Sequence, residues 1–118
     1  MIMYNIKFYE SENGKEPVKE FLESLDTKMK AKALREITLL RDNGRELREP
    51  HCKYIEKGIF ELRIKFSSNI SRIFYFFYVD NNIILTNGFI KKTQKTPQRE
   101  IQKAIKYKME FERRHSND

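Results

Sequence analysis

The sequence predicts an α+β domain: a small, mostly antiparallel sheet, preceded by a helical hairpin and followed by one helix that packs on it. Two patterns carry that prediction. Between Gly58 and Thr96 three strand-like runs lie almost end to end, and on either side apolar residues recur with helical spacing. A third observation bears on function. Residues 1–50 hold ten Lys/Arg and ten Asp/Glu, whereas residues 51–118 hold fourteen against seven, so the net charge of +7 lies wholly in the half containing the sheet. An excess confined to one structural half is the footprint of a polyanion-binding surface.

A chain of 118 residues has length for one core but not two, so residues 1–118 are read as a single domain. A hydrophobic content of 39% points to a folded core and a charged content of 35% to a soluble protein. The longest apolar run, Ile73–Val79, falls far short of the roughly 20 residues a membrane span needs, so no membrane role is expected. The opening MIMYNIKFYE lacks the cationic segment, apolar stretch and cleavage site of a signal peptide. A cytoplasmic protein is the expectation. Cys52 is the only cysteine, which excludes an intrachain disulfide, and His51 and His115 are too few donors for a Cys/His zinc site. His51-Cys52 reads as a surface loop; no metal or cofactor is expected.

Taken in order, Ile2–Tyr9 reads as a first strand, with Ile2, Tyr4, Ile6 and Phe8 alternating with Met3, Asn5, Lys7 and Tyr9. Ser11–Gly14 is a turn. Pro17 opens a helix, since its fixed φ suits the first helical position, and Val18, Phe21, Leu22 and Leu25 make one apolar stripe. Asp26 is a cap for a second helix, Thr27–Asn43, with Met29, Ala33, Leu34, Ile37 and Leu40 inward. Gly44 ends it. Arg45–Lys57, broken by Pro50, is expected to be a loop leading into the sheet.

Phe60–Phe66 is a strand with Phe60, Leu62, Ile64 and Phe66 on one face and Glu61, Arg63 and Lys65 on the other. Ser71–Val79 is apolar on both faces, the mark of a central strand. Its aromatic run FYFFY is explained by that burial rather than by base stacking. Asp80–Asn82 is a tight turn, because Asn tolerates positive φ, and Ile83–Ile90 is the third strand. Thr96-Pro97 opens the last helix as hydroxyl cap and first-turn proline. Ile101, Ala104, Ile105 and Met109 are its expected buried stripe, Lys103, Lys106 and Arg113 its solvated face, and Arg113–Asp118 a fraying end.

Register brings the cations together. If Ser67–Ile70 is a four-residue loop, Phe66 pairs with Ser71 and Lys65 with Arg72. If Asn81-Asn82 is a two-residue turn, the ladder from Asp80 and Ile83 sets Arg72 opposite Lys91. A one-residue slip in either hairpin would send its charges to the other face. Like charges directly opposite destabilise a sheet, and an anion seated among them relieves that repulsion.

The run GIFELRI…SRIFYF…IILTNGFIKKTQKTPQREIQKA, together with the PVKEFLESL helix and the helix ending before Gly44, resembles the HigB-type, phage Gp49-like branch of the RelE/ParE toxin superfamily. The similarity covers nearly the whole chain. It implies a compact α+β fold, the activity of a ribosome-dependent mRNA endonuclease, and neutralisation by a helix-turn-helix antitoxin of the HigA type. By position, Arg63 and Lys65 match basic residues that contact the scissile phosphate, Arg72 matches the arginine that stabilises the transition state, and Lys91 and Lys92 match the basic pair ending the third strand.

Such a cluster supports chemistry without a metal. An RNA 2′-hydroxyl attacks its own phosphate, leaving a 2′,3′-cyclic phosphate and a free 5′-hydroxyl, while the protein holds the nucleotide in line, stabilises charge and moves two protons. Arg72 is the expected charge stabiliser, Lys65 the base, and Arg63 and Lys92 the grip on flanking phosphates. Lys53, Tyr54, Lys91 and Lys95 complete the expected RNA contacts. The departure from better-equipped members is the proton donor: no histidine falls near the sheet or the last helix's start, and no tyrosine follows KKTQKTP before Tyr107. Tyr54, His51 and Glu61 are candidates by proximity, with a surface ion pair as the simpler reading of Glu61. Two other functions fit the same fold: a gyrase-directed, ParE-like toxin, and a non-catalytic RNA- or protein-binding module.

Overall fold

The computed structural model describes residues 2–91 and 95–116. Strand β1 (Asn5–Phe8) leads into α1 (Pro17–Ser24) and α2 (Thr27–Asn43). A 3-10 turn at Gly44–Glu46 precedes β2 (Cys52–Glu56), β3 (Ile59–Phe66), β4 (Asn69–Tyr78), β5 (Asn82–Ile90) and α3 (Gln98–Arg114). The strands form one sheet in the order β1-β5-β4-β3-β2, antiparallel except where β1 runs parallel to β5.

The sheet separates two cores. On one face Val18 and Leu22 of α1 and Met29, Ala33, Ile37 and Leu40 of α2 pack on Leu62, Ile64, Ile73, Tyr75, Ile83 and Leu85. On the other, Ile101, Ala104 and Phe111 of α3 pack on Ile59, Phe74, Phe76, Ile84 and Phe89. Strand β4 feeds both cores, which is why it is apolar on both faces. The Asp26 carboxylate accepts from the Met29 N–H at 2.8 Å, the expected cap. Gly44 closes α2 at φ +53, where a Cβ would run into the Tyr4 ring. Among the described residues no helix is long and apolar enough to cross a membrane.

Several expectations are corrected. Strand β1 starts at Asn5, leaving Ile2 and Met3 exposed. Arg45–Lys57 is not one loop: Cys52–Glu56 pairs with β3 as an edge strand, and Cys52 is buried rather than on a surface loop. Leu34 and Met109 are exposed; Glu36 and Phe111 hold the buried positions instead. Thr96 does not cap α3. Pro97 takes the N-cap position, and the Thr96 hydroxyl donates to Glu61 Oε2 at 3.0 Å.

Both hairpin registers differ from expectation. The β3–β4 turn is only Ser67-Ser68, with Ser67 at φ +59, so Phe66 pairs with Asn69 and Arg63, not Lys65, pairs with Arg72. Between β4 and β5, Asp80 and Asn81 at positive φ lie in a three-residue connection that pairs Tyr78 with Asn82. A bulge then sets Thr86 and Asn87 against Phe74, after which Arg72 pairs with Phe89 rather than Lys91. The Thr86 hydroxyl donates to the Phe74 carbonyl (3.3 Å), and Asn87 Nδ2 donates to the Glu100 backbone carbonyl and side chain (3.3 and 3.2 Å). The bulge therefore anchors the first turn of α3.

Candidate functional site

Side chains alternate along a strand, so Glu61, Arg63 and Lys65 leave β3 on the face that α3 covers. Arg72 lies directly across from Arg63, and Phe89 directly across from Arg72. One row further along, Lys65 pairs with Ile70, whose carbonyl accepts from the Lys91 N–H at 2.9 Å. One row back, Lys53 pairs with Glu61 and Glu61 with Phe74. The sheet thus sets Lys53, Glu61, Arg63, Lys65, Arg72 and Lys91 on a single face.

Two arginines in direct opposition repel, and Glu61 answers them. It is 1% exposed, a buried counter-charge rather than the surface ion pair expected of it. Its Oε1 lies 3.5 Å from Arg63 Nε and 3.8 Å from Arg72 Nε, while Oε2 holds the Thr96 hydroxyl. Arg63 also reaches Glu49 at 3.6 Å. These contacts are Coulombic only: among the described residues Arg63 Nε and Arg72 Nε are buried and make no hydrogen bond. A buried donor without a partner carries a desolvation penalty of about 1–3 kcal/mol, which an arriving acceptor relieves.

Burial pushes the Arg72 guanidinium below its ordinary range; Glu61 opposes the shift and Arg63 adds to it. Burial likewise lowers Lys91, followed by the charge of Arg72, with Glu61 opposing and Arg63 and Lys53 contributing. Arginine remains charged under such a push, whereas lysine is the residue that can give up its proton.

Beyond Cys52 the ladder to β2 ends with the bond from Arg63 N–H to the His51 carbonyl, and among the described residues β3 beyond Arg63 has no outer strand. A cleft of about 330 Å³ opens at that edge. Arg63, Lys65 and Arg72 line one side; Lys32, Glu36 and His51 line the other. The His51 carbonyl accepts from the Arg63 N–H at 2.8 Å, and His51 Nδ1 lies 3.1 Å from Glu36 Oε2. Glu36 is 6% exposed and is also paired with Lys32 at 3.2 Å. A second hollow lies by Tyr4, Arg45 and Phe77, where the Arg45 guanidinium stacks on the Phe77 ring at 4.2 Å.

Of the residues picked out in the sequence, Arg63, Lys65 and Arg72 meet in the cleft, with Lys91 and Lys53 on the same sheet face. Tyr54 is not brought to them: it pairs with Phe60 on the opposite face, its ring packs on Phe60, and its oxygen accepts from Gly58 N–H at 3.0 Å. Lys95 is exposed in the segment entering α3, and Lys92 lies outside the described residues. Sequence reasoning missed Glu36, took Thr96 for a helix cap, and set His51 on a loop away from the sheet, whereas its carbonyl is bonded to Arg63 of β3. Glu36 left one signal, a carboxylate at an inward position between Ala33 and Leu40 of α2.

Fold and cleft together define a class: a small α+β domain, helices on both sheet faces, whose sheet edge gathers cations, two of them arginines whose Nε atoms make no hydrogen bond among the described residues. The chain belongs to the phage-derived, Gp49-like protein family (DUF891), which it matches over residues 20–108. This is the family of HigB/RelE-like toxins, and it points to a toxin of a toxin–antitoxin pair with an antitoxin partner. No curated protein matches the chain significantly.

Proposed function

We propose that this toxin is a metal-independent mRNA endonuclease that cuts ribosome-bound message and is held inactive by a HigA-type helix-turn-helix antitoxin. One observation carries the reading: Arg72 is buried opposite Arg63 with an Nε that makes no hydrogen bond among the described residues, in a cleft open to solvent. A phosphate seated there accepts from both guanidinium groups in the geometry for which arginine is suited. Arg72, desolvated and fixed, stabilises the charge that grows on phosphorus as the 2′-oxygen attacks. Arg63 and Lys65 hold the phosphate. Lys65, which lines the cleft, is positioned to take the 2′-proton, and Lys91 on the same sheet face is a second candidate, since burial and Arg72 lower its proton affinity. Lys53, Lys92 and Lys95 extend the grip along the RNA.

The test is induced expression of wild type beside Arg72→Ala, with primer extension on a reporter message. Growth arrest with discrete cuts inside translated sequence, both lost in the variant, supports the nuclease. Arrest with intact message overturns it in favour of another target such as gyrase. A folded protein that neither arrests growth nor cuts is a binding module.

A further inference from the structure

The proposed reaction needs a proton for the departing 5′-oxygen, and the residue nearest to supplying one is absent from the sheet face. It stands across the cleft. His51 precedes β2, where its carbonyl is tied to the Arg63 N–H, so the backbone that places Arg63 also places His51. Its side chain is 43% exposed while that of Glu36 is 7% exposed, giving an accessible ring backed by a buried carboxylate. With Nδ1 engaged by Glu36 Oε2, the ring's tautomer and orientation are set and Nε2 is the nitrogen left for a substrate. A buried carboxylate on the inward stripe of α2 contributes nothing to that core that leucine would not. Holding Lys32 and His51 is what Glu36 does.

We propose, resting on the nuclease reading above, that His51 is the general acid of this cleft and that Glu36 is its positioning residue. The 2′-oxygen forms a bond to phosphorus and gives its proton to the base. The P–O5′ bond breaks, and its electron pair stays on the 5′-oxygen. That oxygen takes the proton from Nε2 of the His51 imidazolium, leaving neutral imidazole, which is reprotonated from water. The charged groups that line the cleft with His51 are Glu36 and Lys32 from α2, Arg63 and Lys65 from β3, and Arg72 from β4. Among them only Glu36 carries the opposite charge, which it shares with Lys32 at 3.2 Å, and Arg63, Lys65 and Arg72 are the cations that hold the phosphate. A cleft of about 330 Å³ sits at the small end of ligand-sized cavities, roughly 300–1,000 Å³, and suits one nucleotide rather than a stack of bases.

The test uses ribosomes programmed with a short synthetic message, carrying at the mapped cut site either the natural linkage or one whose 5′-bridging oxygen is replaced by sulfur. A thiolate leaves without protonation, so the sulfur linkage does not need an acid. His51→Gln should slow single-turnover cutting of the natural linkage by about 10²–10⁴-fold, the usual size of acid–base contributions, yet cut the sulfur linkage within a few fold of wild type. Glu36→Gln should show a smaller loss with the same relief, and it carries the test alone if His51→Gln melts early. Equal losses on both linkages, or no loss on either, overturn the assignment and leave the nuclease reading intact. A wild type that cuts neither linkage overturns the nuclease reading, and the acid assignment falls with it.

Discussion

Glu61→Gln separates the two roles that a buried counter-charge plays here. Glutamine keeps the shape and still accepts the Thr96 hydroxyl, so the substitution removes charge and little else. Two unit charges 4 Å apart attract by about 4 kcal/mol at an effective dielectric of about 20, and Glu61 meets Arg63 and Arg72 at 3.5 and 3.8 Å. Desolvation offsets much of that attraction. Breaking a fully buried pair nonetheless destabilises by about 3–5 kcal/mol, because the remaining charge is stranded. The Arg63 side chain is 25% exposed and keeps Glu49, whereas that of Arg72 is 8% exposed and keeps no other carboxylate among the described residues. The loss should therefore fall at or just below the lower end of that range, about 2–3 kcal/mol. In a chain of this length that is a fall in melting temperature of roughly 8–12 °C.

The same substitution should strengthen anion binding. Glu61 occupies the arginines that a phosphate would use, and a ligand that binds only the folded state raises its stability in proportion to RT ln(1 + [L]/Kd). Melting curves of wild type and variant, each across a phosphate series, read both effects. The variant should start lower and climb more steeply. A variant melting within about 2 °C of wild type, with the same phosphate dependence, would show that Glu61 is neither the counter-charge nor the competitor.

Three further outcomes follow from the geometry. Lys91 holds its proton less tightly folded than unfolded, so its charged form carries a penalty below the folded pKa that disappears as pH rises through that value toward 10.5; wild type should gain on Lys91→Gln in melts from neutral to alkaline pH, and a pH-independent difference refutes the depressed proton affinity. Gly88→Ala drives a methyl into the Phe21 ring and should destabilise by about 1–3 kcal/mol, with Phe21→Leu recovering part of it in a double-mutant cycle; strict additivity rules that contact out. Asp26→Ala removes the cap on Met29 N–H and should lower unfolding free energy by about 1 kcal/mol in a denaturant titration.

The helices and core strands were legible because their signals are local. Asp26 followed by a periodic stripe, and two faces of apolar residues from Ile73 to Phe77, each point to one conformation. Cys52–Glu56 was illegible for the opposite reason: an edge strand of five residues that sends Cys52 to one core and Ile55 to the other has no alternation long enough to read. The Thr96 hydroxyl satisfies a capping rule equally well on paper, but tertiary contact with Glu61 won it. His51 and Glu36 lie fifteen residues apart, and only the packing of α2 on β3, to which the His51 carbonyl is tied, brings them together.

The cation cluster was legible despite two wrong registers, and parity is the reason. The β3–β4 ladder is displaced from expectation by two residues, which preserves every face. The β4–β5 ladder next to its turn is displaced by three, which on its own would turn Lys91 toward the helical hairpin. The bulge at Thr86 and Asn87 adds one residue to β5 and restores the face shared with Arg72. Those two residues fasten to the Phe74 carbonyl and to Glu100 on α3. One local irregularity therefore turns Lys91 toward the arginines and fixes the helix that covers their neighbours, so the site and the α3 docking stand or fall together.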